Sequence, residues 1–334
     1  MHGVFDGDLV NSTKPDRKVN MPQDLKLSYY PWLTQNVELA EIDRQIKIFA
    51  SIFASRLSEI LNDPVTVTVP RGIEVPEQIA RIVSGEHQIA LMNPLGYVFA
   101  RLRNQIVTPV AVAKRIIDGQ VGVTYFAQIY TNKKTAIKKL YNSKNEPTDK
   151  VTEADPKSLE AFRRQIFESD KTRFTRAIGF GLPYSTSNFL VPAYDLHRTG
   201  VHPFTRFLRT EFLKGHELIA KAVYDGKVDL GAGHDGVIID LSNQPGYGDA
   251  GDRLVTLLRS DPIPSDPVAV NITNSDLRTA VQQALVAAGD TEDGKKALII
   301  FWGNTQGLAP TNAEPYELLN RVLNELRFAE KDLL

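Results

Sequence analysis

Ile178-Gly-Phe-Gly-Leu-Pro-Tyr-Ser-Thr-Ser-Asn-Phe-Leu-Val-Pro192 is the most informative stretch of the chain. An apolar strand over Ala177–Phe180 leads through glycine and proline into Ser185-Thr186-Ser187, and an apolar helix is expected from about Asn188. Small hydroxyl residues at a helix start set side-chain donors beside the free N–H groups of the first turn, at the positive end of the helix dipole. A tetrahedral oxyanion uses both sets of donors. One hydroxyl that merely caps the helix accounts for the same residues, since serine and threonine are favoured caps.

The alternation of strand and helix continues on both sides. Before this stretch come a strand at Leu25–Tyr30, stopped by Pro31, and a buried helical stripe of Ile42, Ile46, Phe49, Ile52, Phe53, Leu57 and Ile60. Val65–Val69 alternates as a strand, a helix runs from Pro76 to Val83, and Gln88–Met92 is a strand. A helix over Pro94–Arg103 and strands over Val107–Ala113 and Thr124–Thr131 follow. After it come a helix from Glu217 and a strand over Val228–Ala232. This order argues for α/β layers with largely parallel sheets. Two segments break it. Residues 1–23 have no period and read as a disordered lead-in, and Lys133–Lys171 reads as a charged surface insertion with a short exposed helix at Leu159–Phe167.

At 334 residues the chain is long enough for two lobes, each with its own core. Its 39 basic and 40 acidic residues leave a net charge of −1, so no broad field gathers nucleic acid or an anionic membrane. An anion site must then be local. The absence of cysteine excludes disulfides, thiolate zinc sites and a cysteine nucleophile, and His197 and His202 lack the spacing of a shared helical face. No metal or cofactor is expected. No apolar run of bilayer-spanning length occurs. Gly289–Lys296 has phosphate-loop spacing, but acids inside the loop, Lys296 in place of the magnesium-binding hydroxyl and a preceding helix argue for a surface turn. Ser187, His216 and Asp229 or Asp235 could be drawn as a nucleophilic triad, yet the Gly-x-Ser-x-Gly elbow is missing. Clustered hydroxyls suit holding an anion better than activating one oxygen, so no enzyme activity is expected.

Gly181–Pro192 resembles the signature D-P-x-S-T-S-G-x-x-x-P of the phosphonate, phosphite and phosphate substrate-binding proteins of ABC importers, the PhnD type. In the same order, Lys214-Gly-His-Glu217, Asp225-Gly-Lys-Val-Asp229 and Ile263-Pro-Ser-Asp-Pro267 resemble that family's later elements. Ile89–Tyr97 and Tyr125-Phe126 resemble its earlier ones, and the likeness runs from about Leu25 to Leu326. It implies a two-lobed type II periplasmic-binding-protein fold, each lobe a mixed, mostly parallel sheet flanked by helices, joined by a two-crossing hinge. Residues 24–122 plus 264–334 would form lobe one and 123–263 lobe two.

The implied function is an extracytoplasmic, periplasmic solute-binding protein, its secretion signal removed. It would capture phosphite, methylphosphonate or phosphate and work as a monomer with an ABC-transporter membrane permease. A sensor domain that binds the same anion and signals to a partner protein is the alternative. By the resemblance, Ser185, Thr186, Ser187 and His216 hold the anion, with Tyr125 against the ligand. Asp266 lies across the cleft near the hinge, where an acid meets the ligand amine in aminophosphonate-binding relatives. Asn188 replaces the family's glycine and Tyr184 a small polar residue, and both would line the pocket. Val75 stands at an aromatic position and Gly236 at an acidic one, with Asp235 pointing elsewhere, which favours a compact anion over 2-aminoethylphosphonate.

Overall fold

Leu25 and Leu27 turn inward on the strand Asp24–Tyr29, and one sheet is organised about that strand. A computed structural model describes residues 24–31, 37–117, 119–135, 137–167 and 176–334. The expected lead-in, 1–23, lies outside them. The first sheet runs in the order Thr305–Pro310, Thr108–Ile117, Pro267–Val270, Ile89–Leu91, Asp24–Tyr29, Thr66–Thr68, with Gln120–Gly122 returning along Thr108–Ile117. The long helix Leu39–Leu61 buries Ile42, Ile46, Phe49, Phe53 and Leu57. It packs against the helices Ser275–Asp290 and Glu292–Trp302, while Val75–Ser84 packs on Pro94–Arg103. At roughly 1.5–3 kcal/mol for each large apolar side chain removed from water, that stripe is the main adhesive of the long helix.

The second sheet runs Arg209–Phe212, Ala177–Phe180, Leu230–His234, Ala127–Asn132, Leu254–Arg259. The protein is thus a two-lobed α/β fold with mixed sheets. Among the described residues, parallel pairing is confined to Asp24–Tyr29 with its two neighbours and Ala177–Phe180 with its two neighbours. The remaining pairings in both sheets are antiparallel. The expectation of mostly parallel sheets is corrected accordingly. Strands that enter a sheet from the inter-sheet connection, such as Pro267–Val270 and Ala127–Asn132, run against the crossover strands they meet.

Thr124–Thr131, expected as one strand, is two. Thr124–Tyr125 pairs antiparallel with Ile263–Pro264 between the sheets, and Ala127–Asn132 joins the second sheet. Ser265 N–H donates to Val123 C=O at 2.9 Å and fixes the same connection. The charged segment after Asn132, where described, is packed more deeply than the expected surface insertion with its exposed helix. It forms a short hairpin, Leu140–Tyr141 with Pro147–Thr148, and a helix, Pro156–Phe167, whose Phe162 and Ile166 are buried. Residues 136 and 168–175 lie outside the description. The C-terminal helix Glu317–Leu326 touches both Pro94–Arg103 and Val191–Arg198 and so bridges the lobes. Phe328 beyond it stacks on Phe189 at 5.9 Å, and Tyr194 donates to Glu325 at 2.9 Å. No helix among the described residues is long and apolar enough to cross a membrane.

Candidate functional site

The turn after Phe180 opens its helix at Thr186, earlier than the hydrophobic pattern suggested, with a single wide π turn over Thr186–Leu190. Leu190 N–H donates to Ser185 C=O at 3.0 Å, and the α-helix Val191–Arg198 continues from there. Such wide turns recur at functional sites. Ser185 Oγ accepts from Asn188 N–H at 3.3 Å, so this hydroxyl is the cap. Asn188 folds back on the strand end: a Cβ at Gly181 would lie 2.4 Å from its Cβ. That contact requires glycine at 181, and the Asn188 Oδ1 is buried without a hydrogen-bond partner. The Tyr184 hydroxyl faces Glu74 Oε2 of the other lobe at 3.4 Å.

Two further helix starts meet this one. In lobe one, Asn93 Oδ1 accepts from Gly96 N–H at 2.6 Å, and Leu95 N–H reaches across the cleft to Thr186 Oγ1 at 3.1 Å. In lobe two, Gly215 at φ 86° turns the chain into the helix His216–Tyr224. The residue before a helix here needs the left-handed conformation that glycine supplies. His216 Nδ1 accepts from His234 N–H at 3.3 Å, and the two imidazoles meet edge to face at 4.4 Å. With Nδ1 used as an acceptor, neutral His216 carries its proton on Nε2. Burial, with His234 and Arg115 adding to it, holds its pKa well below the ordinary histidine value. His216 is therefore a neutral donor. His234 Nδ1 in turn accepts from Gly236 N–H at 3.1 Å, and its ring fills the space next to Gly236 that a side chain there would need.

The facing wall comes from lobe one and the connection. The buried Tyr125 hydroxyl is hydrogen-bonded to Ser187 and Thr186, and burial followed by the field of Asp266 raises its pKa. Arg115 lies beneath it, its guanidinium carbon 5.4 Å from the ring centroid. Arg115 donates from Nε to Ser265 Oγ at 2.8 Å, from Nη1 to Trp302 C=O at 3.3 Å, and from Nη2 to Asp266 Oδ2. Burial opposes its charge, but the attraction and hydrogen bond of Asp266 outweigh that and keep its pKa above the ordinary arginine value. Asp266 is 5% exposed and also faces the Tyr30 hydroxyl at 3.4 Å. Tyr316 donates to Ser265 C=O at 3.0 Å and fixes the backbone next to it.

Among the residues singled out in the sequence, Thr186, Ser187 and Tyr125 are therefore in direct contact. The Thr186–Leu190 turn packs on Leu230–His234, whose last residue carries His216. Asp266 joins them through Arg115. Ser185 caps, Asn188 packs on the strand end and Tyr184 sits where the lobes meet. The drawn triad does not assemble: Asp229 accepts from Ala177 N–H at 2.8 Å and pairs with Arg176, while His216 Nδ1 is taken by backbone. Sequence reading missed Arg115, Tyr30 and His234. His234 had a signal, because it ends a strand just before a turn, and the ends of strands are where open α/β sheets bind ligands. Arg115, beside Lys114 in an otherwise apolar strand, had none.

The seam between the lobes thus brings together hydroxyls, helix starts and a neutral imidazole, with the Asp266 carboxylate already matched by arginine. Residues 43–316 match the family model of the phosphonate ABC transporters' periplasmic substrate-binding proteins. The fold is similar to a binding protein component of the ABC phosphonate transporter from Pseudomonas aeruginosa, with a TM-score of 0.61 and 18% identity over 91% of this chain and 87% of that one. It is also similar to PhnD1 from Prochlorococcus marinus in complex with methylphosphonate, at 0.62 and 16% over 92% and 99%. A Xanthomonas citri protein bound to ATP matches at 0.64 and 13% over 92% and 98%. No curated protein sequence matches the chain.

Proposed function

Because the chain belongs to the periplasmic substrate-binding proteins of phosphonate ABC transporters, we propose that it captures a compact phosphorus oxyanion between its lobes and presents it to a membrane permease. Phosphite, methylphosphonate and phosphate are the candidate ligands. The family binds and hands over its substrate and catalyses nothing, and its periplasmic setting fits an extracytoplasmic site of action.

One observation carries the reading. The helix starts at Pro94 and Thr186 are joined across the lobes by Leu95 N–H to Thr186 Oγ1, and the strand packed on the Thr186 turn ends at His234, whose N–H donates to His216 at the third helix start. Helix N-termini attract anions, and the protein sets no unpaired carboxylate against them at Asp266. In this reading Ser187, Thr186, His216 Nε2 and the first-turn amides hold the oxyanion, with Tyr125 beside it and Ser185 shaping the turn. Hydrogen bonds to charged acceptors contribute roughly 1.5–3 kcal/mol each. Four of them amount to roughly 6–12 kcal/mol, against about 8 for micromolar binding. The number of donors is adequate, and closure around the ligand strengthens each by excluding water.

Calorimetry against phosphite, methylphosphonate, phosphate and 2-aminoethylphosphonate tests the proposal. The expected result is nanomolar-to-micromolar binding of at least one of the first three. No heat with any of the four overturns the ligand class, and turnover of any of them overturns the non-catalytic role.

A further inference from the structure

We propose that Arg115 is a specificity-determining residue that sets the charge of the ligand the cleft accepts, because it satisfies Asp266 from within the protein. This rests on the interlobe cleft being the anion site and narrows the substrate class to phosphorus oxyanions whose remaining substituent is uncharged.

A carboxylate as buried as Asp266 is stable only with a cation or several donors against it. The groups that face it are the Arg115 guanidinium, the Tyr30 hydroxyl and, through their fields, Tyr125 and Tyr316. Arg115 is held there independently of any ligand by Ser265 Oγ and the Trp302 carbonyl, so its charge cannot swing out to make room for another cation. His216 is neutral. The Arg115–Asp266 pair therefore adds no net charge beside the hydroxyl turn. A ligand with an amine on its tail meets a guanidinium where it needs a free carboxylate, and a ligand with a second anion meets a carboxylate where it needs a free cation. Both tails are rejected, and a hydrogen, methyl or hydroxyl substituent is tolerated.

The test uses the full chain and three ligands of comparable length: ethylphosphonate, 2-aminoethylphosphonate and phosphonoacetate, with methylphosphonate as the reference. The wild-type protein is expected to bind methylphosphonate and to prefer ethylphosphonate over both charged analogues by about a hundredfold. Arg115→Met uncovers Asp266, and the ratio of 2-aminoethylphosphonate to ethylphosphonate affinity should rise at least about tenfold. Asp266→Asn leaves the guanidinium unmatched, and the phosphonoacetate ratio should rise by a similar factor. Arg115→Lys keeps the charge and should keep the wild-type preference against the amine. Ratios within one variant cancel any general weakening of the cleft. If Arg115→Met does not fold, the isosteric Asp266→Asn decides. Methylphosphonate binding with unchanged ratios in these variants, or equal wild-type affinity for ethyl- and 2-aminoethylphosphonate, overturns the role of Arg115 alone. No wild-type binding of any phosphonate overturns this inference, and if phosphite and phosphate give no heat either, the cleft reading falls with it.

Discussion

The two walls of the interlobe cleft are built on opposite electrical plans. The wall from lobe two consists of neutral donors on a contiguous turn, Ser185-Thr186-Ser187, with His216 kept uncharged by burial. The wall from lobe one and the connection is held by a buried ion pair between Arg115 and Asp266, 151 residues apart in sequence. Neutral donors can grip an anion without a second buried charge to resolvate when the lobes reopen. The ion pair is better suited to keeping the opposite wall in one shape, since a guanidinium with several fixed acceptors has little freedom. Recognition and rigidity are thus divided between the walls.

That division is broken most severely on the donor side. Thr186→Ala with Ser187→Ala should lower methylphosphonate affinity by about 10²–10⁴-fold, the value of two hydrogen bonds to a charged acceptor. The unfolding free energy should fall by about 2–6 kcal/mol, because the buried Leu95 N–H and Tyr125 hydroxyl lose their partners. Calorimetry paired with urea unfolding measures both. Retained affinity in this double variant would remove the hydroxyl turn from ligand binding.

The other wall should respond in stability. Asp266→Ala leaves Arg115 buried and unpaired, for which about 3–5 kcal/mol of unfolding free energy is expected to be lost. Replacing both partners, Arg115→Met with Asp266→Leu, should restore most of that loss. A single-variant cost below about 1 kcal/mol would mean that water reaches the pair and that this wall is not rigid.

The same contrast explains what was legible in the sequence. The donor wall is local: a strand, a turn with glycine and proline, and hydroxyls followed by an apolar helix are all visible within Ile178–Pro192. Strand and helix positions before Arg103 fall within a few residues of the hydrophobic pattern, most clearly the helices Leu39–Leu61 and Val75–Ser84, which are amphipathic on their own. The ion pair is non-local. Nothing about Lys114-Arg115 says which of the two side chains faces inward, and strand alternation sends them to opposite faces, Lys114 to Asp290 and Arg115 to Asp266. The break at Phe126 was hidden for a related reason. Thr124–Thr131 has strand-forming residues throughout, and only pairing with Ile263–Pro264 shows that Tyr125 belongs to the connection and not to the sheet. The helix Pro156–Phe167 was undervalued because charge masked the spacing of Leu159, Phe162 and Ile166, which are buried.

A seam outside both walls offers a smaller lever on closure. Phe328 stacks on Phe189 at 5.9 Å and meets Phe204 in a tilted contact at 6.1 Å, joining the C-terminal segment to lobe two. Aromatic contacts of this kind contribute about 0.5–1.5 kcal/mol beyond burial, so Phe328→Ala should weaken ligand affinity by roughly two- to tenfold by favouring the open state. Stopped-flow release should quicken by a similar factor. An unchanged release rate would exclude this segment from closing the lobes.

The finest distinction concerns the neutrality of His216. Its pKa in the folded protein lies well below 6.5, whereas the unfolded chain takes up a proton on this residue near that value. Between those two points the unfolded state binds more protons, so the stability conferred by burying neutral His216 is complete above pH 6.5 and is lost as pH falls below it. His87, lowered by burial, acts with the same sign. Asp195 acts with the opposite sign, because burial raises it from 3.8 to about 7, and its contribution falls as pH rises across that interval. The total pH profile therefore mixes these groups, and the informative quantity is the difference between wild type and His216→Gln. Glutamine can still offer an N–H donor near the Nε2 position but cannot titrate. The variant should lose up to about 1.4 kcal/mol per pH unit of the acid-side slope, while its methylphosphonate affinity at pH 7.5 falls by less than about tenfold. A variant with wild-type slope and abolished binding would show that His216 acts as a cation, and the neutral-donor account of this wall would have to be given up.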